Sequence, residues 1–277
     1  MTTERIPFVQ DIQTRDGTLT KDSKIVNGMI ETTSQGAKDV VKRPGLSYVT
    51  QMYPSTAPTV LQTQGMTGFN NNVYAIINNQ ILKYDTSTGV VSNIGVITTH
   101  NNYTYFAKRF LDSTLFFHNK YNGYVLVPGS PDTYSSVTLP EAGPFVAGAV
   151  FMNGWTFVAS SSTNNIYSSK QNDQTSWNSL SYTTSYFAND TLKGICRHLN
   201  YLVAFGNAST LFYYDNGTGS DTVSPLALAQ SYNSEIGCAS GDSIASNDNT
   251  VLWIGTSRTH GKSVYILNGV APVKIST

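Results

Sequence analysis

A short hydrophobic block recurs along most of this chain, and its spacing is nearly regular. Successive blocks begin 41, 41, 46 and 50 residues apart. The five copies read VYAI from Val73, TLFF from Thr114, WTFV from Trp155, YLVA from Tyr201 and VLWI from Val251. A sequence period of about 20–50 residues is typical of architectures that repeat one supersecondary unit. The spacing of these blocks therefore predicts a repeat fold from residue 73 onwards.

A second block of similar character follows each of these blocks after 8 to 12 residues. The links between paired blocks are rich in turn formers, such as Asn78-Asn79 and Gly206-Asn207. Two blocks of β-forming residues joined by a short link of this kind predict a β-hairpin. The second blocks begin at Ile81, Tyr124, Asn165, Thr210 and Ser263.

Each hairpin has a further strand candidate on either side. Those that precede the hairpins lie around residues 65–69, 105–110, 146–151, 192–196 and 243–246, and more polar ones follow, as at 90–96 and 271–276. The first block of each hairpin is apolar on consecutive residues, which indicates a strand covered on both faces. Four strands per unit, buried in the middle and polar at the outside, are what radially packed blades require.

The sequence therefore predicts an all-β protein, a β-propeller with about five recognisable four-stranded blades, with six as an alternative count. An irregular β-sandwich remains the competing fold. An open β-solenoid is disfavoured because its repeats are shorter.

Charge marks a boundary near residue 50. The first 50 residues hold 13 of the 34 charged side chains, although they make up less than a fifth of the 277 residues. This segment predicts extended pieces at residues 6–12 and 24–30, separated by turns. We expect residues 1–50 to form an N-terminal arm or docking segment and residues 51–277 to form the propeller body.

Composition agrees with the β prediction and restricts the binding partners. Thr, Ser and Asn supply 87 of the 277 residues, and only 12% of residues are charged, so surface helices are poorly supported. The formal net charge is zero, which argues against attachment to nucleic acid or to an anionic membrane by bulk charge. No apolar run of signal-peptide or membrane-span length occurs. We expect synthesis in the cytoplasm and no membrane anchor.

Acidic residues and histidines give little support to an enzyme. A glycosidase needs two carboxylates about 5–9 Å apart, yet only Glu141 and Glu235 of the four glutamates fall in the repeat region. Most aspartates stand in turn sequences, where they bond to local backbone. The four histidines, His100, His118, His198 and His260, lack metal-ligand spacing. We expect no catalytic residue, no cofactor and no metal site.

Three smaller motifs have a structural or a functional interpretation. Residues 167–177 are similar to a degenerate Asp-box turn, in which an acidic residue caps a hairpin and Trp177 packs behind it. An aromatic platform for sugar is the alternative. Cys196 and Cys238 fall at similar places in consecutive units, where the first expectation is two buried thiols. Lys42-Arg43, followed by Pro44-Gly45, is a candidate assembly contact, with a partner's carboxylate or with a phosphate backbone.

Several segments, taken in order, resemble the packaged-DNA stabilisation proteins of short-tailed bacteriophages, also called tail accessory, hub or nozzle proteins. The resemblance spans nearly the whole chain and rests on the shared order of weak motifs. These are DSKIVNGMIE at 22–31, VKRPGL at 41–46, DQTSWNSLSY at 173–182, the unit 194–214 with its VAFGNAS core, and SVYILNG at 263–269 followed by KIST at 274–277.

The resemblance implies a virion structural protein with a propeller domain. It implies assembly as a ring, usually a homo-hexamer, beneath the portal and head-to-tail adaptor, where the ring extends the DNA channel and retains packaged DNA until ejection. The implied partners are further copies of the chain, the adaptor or portal, tail fibre, spike or needle proteins, and double-stranded DNA passing without sequence specificity. Members of the family continue well beyond the final Ile-Ser-Thr, so we expect a fragment or a shortened version. Carbohydrate binding is the alternative function, and glycoside hydrolysis is a weaker one.

Overall fold

The computed structural model describes residues 28–32, 38–42, 48–53, 62–98, 102–185, 190–247, 249–257 and 261–276. The chain divides into two compact units, Met1–Thr50 and Gln51–Thr277. In the first unit, the strands β1 (Gly28–Thr32) and β2 (Lys38–Lys42) pair antiparallel. The predicted extended piece at residues 6–12 lies outside the described residues.

The second unit contains five antiparallel sheets that follow one another along the chain, as the hairpin repeat predicts. Blade 1 comprises β3 (Thr63–Phe69), β4 (Asn72–Ile77), β5 (Gln80–Asp85) and β6 (Val91–Val96). Blade 2 comprises β7 (Tyr105–Arg109), β8 (Thr114–His118), β9 (Gly123–Val127) and β10 (Thr133–Val137). Blade 3 comprises β11 (Val150–Met152), β12 (Trp155–Ala159), β13 (Asn165–Lys170) and β14 (Asp173–Thr184).

The last two sheets complete the described part of the propeller. Blade 4 comprises β15 (Leu192–His198), β16 (Tyr201–Gly206), β17 (Thr210–Asp215) and β18 (Leu226–Leu228). Blade 5 comprises β19 (Gly237–Cys238), β20 (Ala245–Asn247), β21 (Thr250–Ser257), β22 (Gly261–Asn268) and β23 (Ala271–Lys274). The all-β propeller prediction is confirmed, and the two predicted blocks of each unit form its two central strands.

Asparagine closes several of the hairpins, for a reason of backbone geometry. Asn70 and Asn71 join β3 to β4, and Asn78 and Asn79 join β4 to β5, all with positive φ between 47° and 62°. Two-residue hairpin turns with this twist require positive φ at both central positions, which asparagine tolerates better than most residues. The abundance of asparagine in the sequence therefore serves the turns.

Two of the predicted first strands were placed incorrectly. In blade 3, only Val150–Met152 is a strand, because Gly148 takes a φ of +100° and interrupts the segment. In blade 5, the strand predicted at 243–246 is replaced by two short strands, β19 and β20, which both pair with β21. A 3₁₀ turn, Gly241–Ser243, separates these two strands.

Hydrophobic clusters join each blade to the next along the described chain. Each strand of a blade's central pair sends alternate side chains to opposite faces, so both faces of an inner blade become buried. Fully burying a Phe or Leu contributes about 1.5–3 kcal/mol, so these contacts hold the sheets in radial order. The pairs of fully buried residues that mark the clusters are Tyr74 and Phe117 between blades 1 and 2, Phe116 and Val158 between blades 2 and 3, Phe157 and Leu202 between blades 3 and 4, and Phe205 and Trp253 between blades 4 and 5.

Candidate functional site

The first strands of the blades surround a cavity of about 610 Å³. All five blades contribute to its lining, through Met66, Tyr105, Val150, Arg197 and Ile244 among others. A shared cavity of this kind is the central axis of a propeller. Its size falls within the range of about 300–1,000 Å³ that is typical of small-molecule pockets.

A turn of blade 5 approaches the other blades at this axis. A Cβ atom added to Gly241 would lie only 1.9 Å from the carbonyl oxygen of Lys193, in blade 4, and 2.8 Å from the Cβ of Ala147, which precedes β11. Any side chain at position 241 would therefore collide with backbone. Because position 241 is a glycine, the turn can pack closely against blades 3 and 4, and it thereby narrows the central cavity.

Polar residues from two distant parts of the chain meet beside this turn. The hydroxyl of Tyr105 donates a hydrogen bond to Asp242, and the Lys120 ammonium lies 3.5 Å from the same carboxylate oxygen. Lys120 Nζ also lies 5.6 Å from the centroid of the Tyr105 ring. Burial, followed by the hydrogen bond to Asp242, raises the pKa of Tyr105, so this phenol stays protonated. Tyr105 and Lys120 of blade 2 and Asp242 of blade 5 thus link the two blades across the central cavity.

Carboxylates do not converge in the axial cavity or in a second cleft of the described residues. The axial cavity contains Asp242 and a second cleft contains Asp215, and neither is lined by a second acidic side chain. Glu141 instead accepts a hydrogen bond of 2.9 Å from the hydroxyl of Tyr167. Glu235 is exposed in the link between blades 4 and 5. The paired-carboxylate geometry that glycoside hydrolysis needs is thus missing from the described clefts.

Metal-binding and thiol candidates behave as core residues where they are described. No group of three or more His, Cys, Asp or Glu side chains within the described ranges is arranged to hold a metal ion. Cys196 and Cys238 are free, buried and part of the same cluster between blades 4 and 5. Burial raises the pKa of both thiols, so they are poor nucleophiles.

The Trp177 turn has the geometry of a structural lock. It joins the third and fourth strands of blade 3, where Asp173 Oδ1 accepts bonds from the backbone N–H and the hydroxyl of Thr175 at 2.9 and 2.6 Å. The indole N–H of Trp177 donates to the carbonyl oxygen of Gln174 at 2.9 Å, and the ring lies 5.3 Å from that of Phe116 in blade 2. Trp177 therefore fastens the turn of blade 3 onto blade 2.

Replacing Trp177 with alanine tests this role. We expect a loss of about 2 kcal/mol in the free energy of unfolding, because a half-buried aromatic contact and a turn hydrogen bond both disappear. Urea denaturation measures the loss. Trp177→Phe keeps the contact with Phe116 and should cost about half as much. Unchanged stability together with lost glycan binding would instead support the sugar-platform interpretation.

Sequence reasoning missed a carboxylate that holds one of the quoted motifs in place. Asp190 accepts hydrogen bonds from the backbone N–H groups of Asn207 and Ala208, at 2.8 and 2.7 Å, and from the hydroxyl of Ser209 at 2.8 Å. It thereby clamps the β16–β17 turn, the end of the VAFGNAS motif. The short polar residues of this motif are explained by the turn and its clamp.

The assembly candidates Lys42 and Arg43 stand at the boundary of the described residues in the first unit. Lys42 is the last residue of β2, and its side chain is not among the described groups. Arg43 lies outside the described residues.

No signal in the sequence singled out Tyr105 or Asp242, because they are 137 residues apart and meet only through the ring of blades.

Blade 5 presents a face that its neighbours in the described chain leave uncovered. Strand pairing aligns Ile254 with Val264, and the backbone N–H of Ile275 bonds to the carbonyl oxygen of Val264. Val273 belongs to the next row, opposite Ile266. The exposed fractions are 43% for Ile254, 37% for Val264, 41% for Val273 and 53% for Ile275. We call these side chains, with Leu252 and Ile266, the blade 5 apolar face.

Structural comparison places the chain among propellers of varied function. It is similar to the virginiamycin B lyase from Staphylococcus aureus, with a TM-score of 0.55, 9% identity, and coverage of 91% of this chain and 78% of that one. It is also similar to the extracellular domain of a putative hybrid two-component system from B. thetaiotaomicron, with a TM-score of 0.52, 13% identity, and coverage of 94% and 34%. At these identities the likeness shows the fold alone.

Comparison by sequence is more specific. No curated protein matches the chain. Separately, the part of the chain described by the structure contains no helix with the length and hydropathy of a membrane span. The family model that matches is described as bacteriophage P22 Gp10, beta-propeller, and it covers residues 38–277. The recurring hairpins, the five sheets and this match agree, and the chain therefore belongs to the Phage_stabilise family of bacteriophage β-propellers.

Proposed function

We propose that this protein is a non-enzymatic structural component of the tail of a short-tailed phage. Membership of the phage family implies association with the virion. In the proposed role, the chain forms a ring, the tail nozzle or hub, below the portal and adaptor. The ring, a homo-hexamer, extends the DNA channel and retains packaged DNA until ejection. Residues 51–277 provide the propeller body, and residues 1–50 provide a docking arm whose Lys42 and Arg43 contact a partner or the channel.

The observation that carries the proposal is the blade 5 apolar face. Two cross-strand rows of aliphatic side chains lie side by side on one sheet, and four of the six are more than a third exposed. An apolar patch of this kind marks an interaction site more often than a free surface. Lateral contact with a second copy of the chain would cover it, as ring assembly requires.

The axis of one propeller is unsuited to conducting DNA. Its cavity of about 610 Å³ is crossed by the Gly241–Ser243 turn and by the bond between Tyr105 and Asp242. The major groove of B-DNA alone is about 12 Å wide, so a duplex would not fit through this cavity. A DNA channel would therefore have to lie between subunits. The zero net charge suits such a channel, since phosphates would be held weakly.

Light scattering of the intact chain, with its partner adaptor present, tests the ring. We expect a mass several times that of the 30.1 kDa chain and ring-shaped particles by electron microscopy. Ile254→Asp places a charge in the middle of the blade 5 apolar face, and we expect it to shift the particles to monomers because an unpaired charge is costly to bury.

A matched control separates assembly from a general effect of added charge. Leu180 is 64% exposed on blade 3, and Leu180→Asp should leave the assembled mass unchanged. Both variants should keep the thermal midpoint of the folded monomer. Monomers alone for the unmodified chain with its adaptor, or full assembly of Ile254→Asp, would contradict the proposal.

A further inference from the structure

A second cleft lies between the turns of blades 3 and 4 and shares no residue with the blade 5 apolar face. Its volume is about 570 Å³, a size that suits a small ligand. Four separate segments meet in it. They are the β11–β12 turn, the β15–β16 turn with the first residue of β16, the end of β17, and the 3₁₀ turn Gln230–Tyr232 with the residue before it. Its walls include the side chains of Asn153, Asn200, Tyr201, Tyr214, Asp215 and Tyr232.

Three tyrosines give the cleft aromatic walls. Tyr201 and Tyr232 pack edge to face, with their ring centroids 5.6 Å apart and their planes at 79°. Both rings also pack edge to face with buried Phe212, which fixes their orientation. Tyr214 is 42% exposed and Tyr232 is 38% exposed. The cleft thus offers rigid aromatic surface to an incoming ligand.

The Asn153 amide and the Asp215 carboxylate form a hydrogen-bonded pair in the same cleft. The side-chain amide of Asn153, in the β11–β12 turn, donates to Asp215 Oδ2 at 3.1 Å, and the backbone N–H of Gly217 donates to Asp215 Oδ1 at 2.8 Å. The carboxylate is held in one orientation, while each of its oxygens retains further accepting capacity. Asn200 adds an exposed amide to the lining of the same cleft. Fixed acceptors and amide donors can bind neighbouring hydroxyl groups at the same time.

The charge of the cleft selects among ligand classes. Its lining contains one carboxylate and no Lys or Arg. Phosphate-bearing ligands, including single-stranded nucleic acid, need cationic partners and are not matched. A neutral saccharide is matched, because its C–H face can stack on a tyrosine ring while its hydroxyls bond to the planar polar groups. We propose that this cleft is a binding site for a neutral saccharide.

Binding to an array of neutral glycans, followed by saturation-transfer NMR with the glycans that bind, tests the proposal. We expect at least one neutral glycan to bind. Tyr214→Ala should weaken that binding by about tenfold or more, since loss of one aromatic contact costs roughly one such factor. Asp215→Ala should weaken it at least as much, because a charged acceptor is removed.

Control variants distinguish the cleft from other exposed tyrosines. Tyr182 on blade 3 is also 42% exposed, and Tyr182→Ala should change the affinity less than about twofold. Asn200→Ala, on the exposed rim, provides a second cleft variant that leaves the sheets untouched. Any of three results would overturn the proposal. These are no binding of any neutral glycan, binding of anionic ligands alone, and binding that neither Tyr214→Ala nor Asn200→Ala weakens. The result is independent of ring assembly, since it is measured on the folded chain in either state.

Discussion

Replacing Trp253 with alanine is expected to lower the free energy of unfolding by about 4 kcal/mol, a large fraction of the total stability of a typical domain. Trp253 is 1% exposed and lies between blades 4 and 5. Its ring centroid is 5.1 Å from that of Phe205 and 5.8 Å from that of Tyr265, and its indole N–H donates to the carbonyl oxygen of Gly237 at 3.1 Å. The substitution removes these contacts and leaves a cavity.

The adjacent residue provides the control for this prediction. Ile254 follows Trp253 on the same strand but points to the opposite face, where it is 43% exposed. Ile254→Ala should therefore cost less than about 1 kcal/mol. Urea denaturation of both variants, at a concentration where the chain is monomeric, measures the difference without a contribution from assembly. Hydrogen exchange shows whether blade 5 opens separately. Equal losses for the two substitutions would mean that blade 5 does not depend on packing against blade 4.

Lowering the pH from 6.5 to 4 is expected to destabilise the protein by about 3 kcal/mol through His118 alone. Burial, reinforced by the charge of Lys120, lowers the pKa of His118 from 6.5 to about 4. The unfolded chain therefore binds a proton that the folded chain rejects throughout this interval. The contribution of neutral His118 to the free energy of unfolding is fully present well above pH 6.5, and it is lost progressively as the pH falls towards 4.

The geometry around His118 explains why protonation is unfavourable. The ring is fully buried, and its Nδ1 accepts the backbone N–H of Lys120 at 3.2 Å. Its Nε2 lies 2.9 Å from the carbonyl oxygen of Gly148 and donates to it in the neutral tautomer. A proton on Nδ1 would face an N–H group and would place an unpaired charge among the rings of Tyr105, Phe116 and Phe145.

Comparison with His118→Gln isolates this contribution from that of the carboxylates. A glutamine amide can also donate to one partner and accept from the other, but it does not titrate. Denaturation midpoints at pH 7 and pH 4 should therefore differ more for the unmodified protein than for the variant. The same pH dependence in both proteins would show that His118 does not control acid stability.

The hairpins were predictable because they depend on local sequence. Apolar blocks such as 73–76 and 81–84 are eight residues apart and joined by Asn78-Asn79, so the strand propensity, the turn and the pairing all lie within a short window. The structure pairs the two blocks as a hairpin, with Ile76 opposite Ile81. The Asp-box turn at Trp177 was predictable for the same reason, since its hydrogen bonds join residues two or three positions apart.

The first strands were predicted less well because they depend on partners from other blades. The segment before β11 is held by Gly148 and by a parallel bridge from Ala147 to Gly194, in the next blade. The inner edge of blade 5 is divided because the Gly241–Ser243 turn packs on blade 4. Neither feature leaves a periodic hydrophobic signal in the local sequence.

The sequence by itself determined the strand content, the hairpin repeat and therefore the propeller, since residue type, turn chemistry and short-range pairing are encoded locally. Only the tertiary structure decided which side chains meet at the axis, which sheet face stays uncovered and which tyrosines enclose a cleft. Tyr105 and Asp242, or Asn153 and Asp215, become neighbours through the rotation of one blade relative to another. That rotation is set by the packing of whole sheets, which no short window of sequence contains.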